Sequence, residues 1–286
     1  MPGRRRIPLA WLAVVPFFAY ATAFLLVPSA VVLIGAFKGE KGGYTFKNIS
    51  DVIHTPQYLH SFETSIEISL VTAALGGLLG LLMAYAVTRR GLPRWIRPAL
   101  STFSGVAANF AGVPLAFAFI ATLGTLGIVT KFMRDHFGFN PYEHGFTLFN
   151  FTGVSIVYMY FQIPLMILVI LPALDGLRPE WREASANLGG NSYHYWRYVG
   201  LPVLLPSILG AMILLFGNSF SAYATAYALT GGAINLVPLL IGQNLGGDVL
   251  SNPHLSQALA FGMIVVIGVM MTAYALLQRR VSRWTR

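Results

Sequence analysis

Cysteine is absent from this 286-residue chain, and charged residues make up only 10% of it. The lack of cysteine excludes disulfides, thiolate metal ligands and cysteine nucleophiles. A soluble domain carries about 25% charged residues, so the scarcity of charge argues against a soluble globular protein. Apolar residues are abundant instead, at 56% of the chain, and the mean hydropathy is +0.65. The composition predicts a membrane protein.

The sequence motifs of several enzyme classes are missing as well. There is no G-x-x-x-x-G-K-[ST] phosphate loop, so the chain is not expected to hydrolyse ATP. G-x-S-x-G, H-E-x-x-H and paired intramembrane carboxylates are also missing. We therefore predict no catalytic residue, no metal and no bound cofactor. Scattered histidines without metal-ligand spacing are interpreted as solvated or locally hydrogen-bonded: His54, His60, His136, His144 and His254.

Long uncharged runs divide the chain into membrane spans, each of which needs about 20 apolar residues. The fifth run is too long for one helix, so we predict a span at about 202–228, a Gly/Asn-rich connection at 229–254 that is external or partly re-entrant, and a sixth span. The fold class is therefore all-α, with six transmembrane helices. Residues 1–60 form the N-terminal tail, first helix and external loop, and 61–286 the core domain. The uncharged runs are 7–37, 68–88, 98–130, 145–174, 198–247 and the run that follows Asp248 and ends at Gln278.

The distribution of basic residues predicts the orientation. Fourteen of the nineteen Lys and Arg residues lie in the N-terminal tail, the second-to-third connection, the fourth-to-fifth connection and the C-terminal tail. Basic residues are enriched in cytoplasmic segments, which places both termini in the cytoplasm. The N-terminal run resembles a signal peptide, but it continues unbroken to Phe37, as a retained span would.

A polar segment at about 175–200 interrupts the apolar sequence before the fifth span. Pro179 suits the first turn of a helix, Gly189 suits its end, and Asn191 or Ser192 suits the start of a second short helix. We predict a cytoplasmic helix–glycine–helix elbow with an aromatic face. Physics alone leaves two interpretations: the elbow fits a groove on another protein, or its aromatic side chains lie among lipid headgroups.

This elbow resembles the EAA loop of the permease subunits of ATP-binding-cassette (ABC) importers, whose pattern is E-A-A-x-x-x-G-x-x-x-x-x-x-F-x-x-I-x-L-P. The chain aligns with all twenty positions without a gap, with Ser for Ala, Trp for Phe and Val for Ile. The resemblance covers about residues 60–280 and implies the type I ABC importer permease fold. The matching residues are Glu183, Ala184, Ser185, Gly189, Trp196, Val199, Leu201 and Pro202.

The resemblance also implies roles in coupling to a cytoplasmic ATPase. Glu183 would pair with a basic residue in a cleft of the ATPase, Ala184 and Ser185 would keep the contact small, and Gly189 would permit the turn. Arg182 would either add a salt bridge or serve topology alone. The alternative for Glu183 is compensation of its helix dipole without any contact.

The implied function is that of an importer permease, not of an enzyme. The chain would form half of a translocation pathway that works by alternating access in a bacterial inner membrane. Its implied partners are a related, non-identical second permease, two ATP-binding subunits that use ATP and Mg, an external solute-binding protein and the bilayer; nucleic acid is not among them. Two alternatives from other classes are a secondary carrier or channel and a membrane-embedded enzyme or scaffold.

The substrate is less constrained. Residues 229–245 resemble the spermidine/putrescine permeases, which implies a polyamine; the alternatives are phosphonate, iron, thiamine or sugar. The only acid predicted near a span is Glu67, at its external end, so charge compensation for a polyamine would need aromatic faces or partner subunits. Polar residues of spans three to five are candidates either for the pathway or for interhelical packing: Asn109, Tyr158, Tyr160, Gln162, Asn218, Ser219, Ser221, Tyr223, Thr225 and Tyr227.

Overall fold

The computed structural model describes residues 10–39, 42–88, 92–246 and 253–281. Within these ranges the chain is helical, without a named strand; an isolated bridge joins Lys38 to Tyr44. Six helical stretches are long and apolar enough to cross a membrane, which confirms the predicted fold class. They are Val14–Gly35, Pro56–Thr88, Val113–Phe137, Phe151–Asp175, Ser192–Phe220 and Pro253–Arg279.

The individual helices are numbered in chain order. A π-helical turn, Thr22–Leu26, joins the first two, and another, Trp196–Gly200, joins the tenth to the eleventh. The bounds are α1 Ala10–Ala21, α2 Val27–Gly35, α3 Lys47–His54, α4 Pro56–Thr88, α5 Ile96–Asn109, α6 Val113–Leu123, α7 Ile128–Phe137, α8 Phe151–Asp175, α9 Pro179–Asn187, α10 Ser192–Tyr195, α11 Leu201–Phe220, α12 Ala224–Thr230, α13 Val237–Gly246 and α14 Pro253–Val281.

The sequence predicts the third uncharged run as one span in which Pro114 kinks or ends the helix, and the helix is interrupted there. Its helix breaks at residues 110–112 between α5 and α6, and again between α6 and α7. Gly112 has φ +76°, a conformation that only glycine adopts at little cost. Pro114 follows in the first turn of α6, where its missing N–H is tolerated. Hydropathy could not detect this break because the residues on both sides are equally apolar.

The fifth run also differs from the prediction at both ends. The prediction of one continuous span at about 202–228 is wrong, because α11 ends at Phe220 and residues 221–223 separate it from α12. At its start the helix continues back to Ser192, so the second helix of the elbow and the span form one helical stretch. Pro202 does not end this stretch, because it follows the wider π turn directly and lies in the first turn of α11.

One compact unit contains His60–Leu239 and Val266–Arg286. Its central helix is α8, since 61% of the most apolar stretch of that helix is buried. The core packs around Ile68 of α4, Leu115 of α6 and Tyr158 of α8. Glycines of α4 allow close approach: a Cβ at Gly76 would lie 2.7 Å from Cβ of Gln162. Gly76 and Gly80 form a Gly-x-x-x-Gly motif, and a Cβ at Gly80 would lie 2.6 Å from the carbonyl oxygen of Ile163, so this motif packs within the chain.

The other unit contains Met1–Leu59 and Leu240–Val265. Gly35 of α2 packs against the side chain of Gln257, and Phe37 makes an edge-to-face contact with Phe261. The amide Nδ2 of Asn48 donates to the backbone oxygens of Ala36 (3.1 Å) and Lys38 (2.8 Å), which joins α3 to the end of the first span. The predicted domain division at residue 60 stays a prediction, as does a re-entrant 229–254 segment, of which residues 247–252 lie outside the described ranges.

Candidate functional site

The first helix of the elbow, α9, is presented to its surroundings. Pro179 opens it, Glu180 lies in its first turn, and none of its nine residues is buried. Glu183 and Ala184 are exposed, and Ser185 is partly buried. The surface of α9 is therefore left largely uncovered by the described part of the chain.

A tight turn separates α9 from α10. Gly189 has φ +81°, and a Cβ there would meet no atom within 4 Å, so backbone conformation alone favours glycine at this position. The N–H of Gly190 donates to the carbonyl of Ser185 at 2.8 Å. The side chain of Asn191 then caps α10 by accepting from the backbone N–H of His194 at 3.0 Å. The helix end and the cap lie where the sequence predicted them.

The second half of the elbow is fixed to the helical body. Trp196 makes an edge-to-face contact with Tyr85 of α4, with ring centroids 5.0 Å apart. A Cβ at Gly200 would lie 2.8 Å from a ring carbon of Trp196, so the indole covers that glycine closely. Leu201 and Pro202 begin α11 on the next turn. Trp196, Leu201 and Pro202 are therefore placed in the joint between elbow and span.

The elbow has two differently lined sides. Toward α4 and α8 lies a cleft of about 860 Å³, in which Arg182 and Glu183 face Tyr85 and Thr88. We call this the body-side cleft. The other side is an apolar groove of about 490 Å³ between α9 and the start of the fifth span. The groove is lined by Trp181, Ala184, Ser185, Leu188, Gly190, His194, Tyr198, Val199 and Val203.

An ion pair at the base of the elbow was missed by sequence reasoning. The guanidinium of Arg97, in the first turn of α5, donates to a carboxylate oxygen of Asp175, the last residue of α8. The two residues are 78 positions apart, and both side chains are about half exposed. No sequence motif marks either residue; Arg97 had been counted only for topology.

Four of the polar candidates for the pathway are buried and hydrogen-bonded inside this chain. The Tyr158 hydroxyl donates to the carbonyl of Ala222 at 2.8 Å. The side-chain amide Nε2 of Gln162 donates to the carbonyl of Leu215, also at 2.8 Å. The hydroxyls of Thr72 and Ser219 lie 2.9 Å apart. Thr225 is the fourth. These residues join α4, α8, α11 and α12, so their contacts are interhelical.

Other pathway candidates are exposed on this chain or only partly covered. The Asn109 amide donates to the carbonyl of Gly105 in its own helix, and the Ser221 hydroxyl donates to that of Gly217 in the last turn of α11, both at 2.8 Å. The rings of Tyr223 and Tyr227 stack, and Tyr160 packs edge-to-face on Phe119. The exposed set is Asn109, Asn218, Ser221, Tyr223 and Tyr227.

The helix break at residues 110–112 contacts the start of α12, which directly follows the break at residues 221–223. The N–H of Gly112, in the break between α5 and α6, donates to the Thr225 hydroxyl at 2.7 Å. A Cβ at Gly112 would lie 3.7 Å from the Cβ of Ala224, so α12 begins directly beside this break. Asn109 precedes one break and Ser221 lies in the other. Non-helical backbone at membrane depth is tolerated where protein or a water-filled cavity surrounds it.

Two further expectations from the sequence concern metal binding and the position of Glu67. No three His, Asp or Glu side chains there come close enough to hold a metal ion. Glu67 is exposed and lies well inside α4, because that helix begins at Pro56 and not near Ile68.

Known proteins similar to this chain are transport permeases. The sulfate transport system permease protein CysT of Salmonella typhimurium is 23% identical over 232 residues, which cover 80% of this chain and 78% of that protein. The thiamine transport system permease protein ThiP of Escherichia coli is 25% identical over 229 residues, or 78% of this chain and 40% of that protein.

The fold and the family follow from two further comparisons. The chain resembles the crystal structure of a bacterial ABC transporter involved in the import of the polysaccharide alginate, with a TM-score of 0.73 over 95% of both chains and 16% identity. Residues 76–283 match the family model "Binding-protein-dependent transport system inner membrane component". This chain therefore belongs to that family, the membrane-embedded permease subunits of ABC importers.

Proposed function

We propose that this permease docks a cytoplasmic ATPase through α9 and couples ATP hydrolysis to solute movement through a pathway shared with a second, related permease. One observation carries the proposal: α9 buries none of its residues, yet the helix that follows it continues without interruption into the fifth span. A displacement of the elbow by a partner would reach the span directly. The basic residues of the tails and of the elbow support a cytoplasmic location.

In this scheme each elbow residue acts through its place on the surface. Glu183 provides an exposed carboxylate for a basic side chain of the ATPase, and Ala184 leaves room for close approach. Gly189 holds the turn at φ +81°. The ATPase supplies ATP and Mg, and an external solute-binding protein delivers the substrate. The ATPase must bind two permease states with different affinity, because a ligand without that difference cannot shift a conformational equilibrium.

Co-purification of the full complex tests this role. Glu183→Arg should reduce the recovered ATPase at least about tenfold, because it places a positive charge opposite a basic side chain. Gly189→Val should also reduce it, because a β-branched residue is strained at φ +81° and distorts the turn. Glu143→Arg is the matched control, since it makes the same charge change on an exposed residue in the connection that precedes α8, whereas the elbow follows the other end of that helix. Full ATPase recovery and full transport in both elbow variants would overturn the proposal.

For the substrate we propose a small oxyanion such as sulfate in preference to a polyamine. The exposed polar candidates near the two breaks carry amide and hydroxyl groups, which can donate hydrogen bonds to an oxyanion. None of the exposed candidates is a carboxylate that could neutralise a polyamine. The sulfate permease relative agrees with this choice, and neither relative described above is a polyamine permease.

Substrate-stimulated ATP hydrolysis distinguishes these choices. The complete complex, with its solute-binding protein, should respond to sulfate and not to spermidine. Asn218→Leu should raise the sulfate concentration needed for half-maximal transport, while Thr122→Val, an exposed position in α6, should leave it unchanged. Stimulation by spermidine alone would refute the oxyanion and restore the polyamine; stimulation by thiamine alone would identify a third class.

A further inference from the structure

The ion pair between Arg97 and Asp175 is placed where neither charge helps its own helix. Asp175 is the last residue of α8, at the negative end of that helix dipole, and Arg97 lies in the first turn of α5, at a positive end. Each dipole therefore opposes the charge that it meets. Among the residues that the structure describes, each of these two charges is compensated by its contact with the other.

The same pair lies at the base of the elbow. Only residues 176–178 separate Asp175 from the start of α9, so a displacement of α9 acts first on the end of α8. Leu177 and Arg178, in that short connection, line the body-side cleft. The pair fastens this end of α8 to the beginning of α5.

The far end of α5 is the helix break at residues 110–112. With 14 residues, α5 is about 21 Å long. At its end, Gly112 donates to the hydroxyl of Thr225 in α12. A continuous path of contacts thus runs from the base of the elbow, through Arg97 and α5, to the place where the two helix breaks meet.

We infer that Arg97 and Asp175 are positioning residues that transmit elbow movement to the helix breaks. This inference rests on the proposed coupling role of α9. An exposed pair contributes little to stability, so its effect should be on coupling and not on folding. Because the pair is accessible to solvent, it can also open and close between two transport states without the cost of burying an unpaired charge.

The test measures solute transported per ATP hydrolysed by the complete complex in proteoliposomes. Arg97→Gln and Asp175→Asn should each lower this ratio about fivefold, the lower end of measured couplings between sites. Recovery of the ATPase subunits and the melting temperature should remain those of the unaltered complex. Arg94→Gln is the matched control, because it removes the same charge from the turn just before α5.

The reversed pair, Arg97→Asp with Asp175→Arg, separates positioning from a general loss of charge. It restores the contact and places each charge where its helix dipole favours it, so the ratio should return to within about twofold of the unaltered value. An unchanged ratio in both single variants, or a reversed pair that stays as low as they are, would overturn the inference. Loss of ATPase recovery in Arg97→Gln would also overturn it, by making the residue part of the docking surface. A failure of the coupling role itself would show earlier, in the unaltered complex or in Glu183→Arg.

Discussion

The backbone N–H of Gly112 donates to the hydroxyl of Thr225 at 2.7 Å, across 113 residues of sequence. One partner lies in the break between α5 and α6, and the other is the second residue of α12. A free N–H at membrane depth is costly, so this hydroxyl makes the break compatible with a membrane interior.

Removing the hydroxyl should therefore destabilise the break. Thr225→Val keeps the shape of the side chain but leaves the Gly112 N–H unpaired, at a cost of about 1–3 kcal/mol. We expect a lower melting temperature for the purified protein and reduced transport. Thr225→Ser retains the acceptor and should behave as the unaltered chain.

A control variant makes this prediction specific. Thr122 is exposed, and its hydroxyl bonds the Ala118 carbonyl of its own helix at 2.8 Å. Thr122→Val should shift stability by less than about 0.5 kcal/mol. Equal melting temperatures for Thr225→Val and Thr122→Val would mean that the bond to Gly112 contributes nothing.

The glycines of α4 should not tolerate a methyl group. A Cβ at Gly80 would lie 2.6 Å from the carbonyl oxygen of Ile163 and from the Cβ of Met166, and Gly76 is similarly close to Gln162. Gly80→Ala should cost about 1–3 kcal/mol through overpacking, measured as a lower thermal stability in detergent.

Gly105 of α5 is the contrasting position. A Cβ there meets no atom within 4 Å, and alanine favours helix over glycine by about 1 kcal/mol. Gly105→Ala should therefore be neutral or stabilising. If Gly105→Ala destabilised the protein as much as Gly80→Ala, close packing at Gly80 would not explain the loss of stability there.

Gln162 has one satisfied and one unsatisfied polar atom. Its Nε2 donates to the Leu215 carbonyl, while its Oε1 is buried and has no hydrogen-bond partner among the residues that the structure describes. Gln162→Met removes the unsatisfied oxygen at similar volume, and the Leu215 carbonyl keeps its place in the helix. We expect a change in unfolding free energy below about 1 kcal/mol.

Gln162→Glu preserves shape but introduces an acid into the same buried place. An ionised carboxylate without a partner is far more costly to bury than an amide, so this variant should fold poorly at neutral pH. Lowering the pH should recover part of its stability, because protonation removes the charge. A Gln162→Met variant that unfolds as readily as Gln162→Glu would show that the hydrogen bond to Leu215 dominates.

The indole of Trp196 should matter for coupling more than for folding. It covers Gly200 and contacts Tyr85 of α4, which fixes the joint between the elbow and the fifth span. Trp196→Ala should lower transport per ATP, whereas Trp196→Phe keeps an edge-to-face partner for Tyr85 and should retain most of it. Similar transport per ATP in both variants would show that the aromatic contact with Tyr85 is not what maintains the joint.

The number of spans and the elbow were predictable because each has a local signal. Hydropathy identifies apolar runs, and the sequence around Gly189 carries the helix stop and the following Asn191 cap. The helix breaks were not predictable in the same way. Pro114 signals an interruption of the third span, but Gly112 lies among apolar residues, and its φ of +76° and its bond to Thr225 show where the helix stops.

Contacts between distant residues explain the other differences. Polarity suggested one class of pathway candidates, but Gln162 and Ser219 are buried against neighbouring helices while Asn218 is exposed. Adjacent positions on a helix face different ways, so which polar side chain is covered depends on neighbours far away in sequence. The same reason hid Arg97 and Asp175, whose pairing requires α5 and α8 to lie side by side.

The unbroken helix from Ser192 to Phe220 has a mechanical consequence. Its 29 residues extend about 43 Å, and the aromatic half of the elbow lies at one end of this length. A tilt of ~10° about one end displaces the other by ~7 Å, more than one helical turn. A small rotation at the elbow end of this helix would thus become a larger displacement at Phe220, directly before the break at residues 221–223.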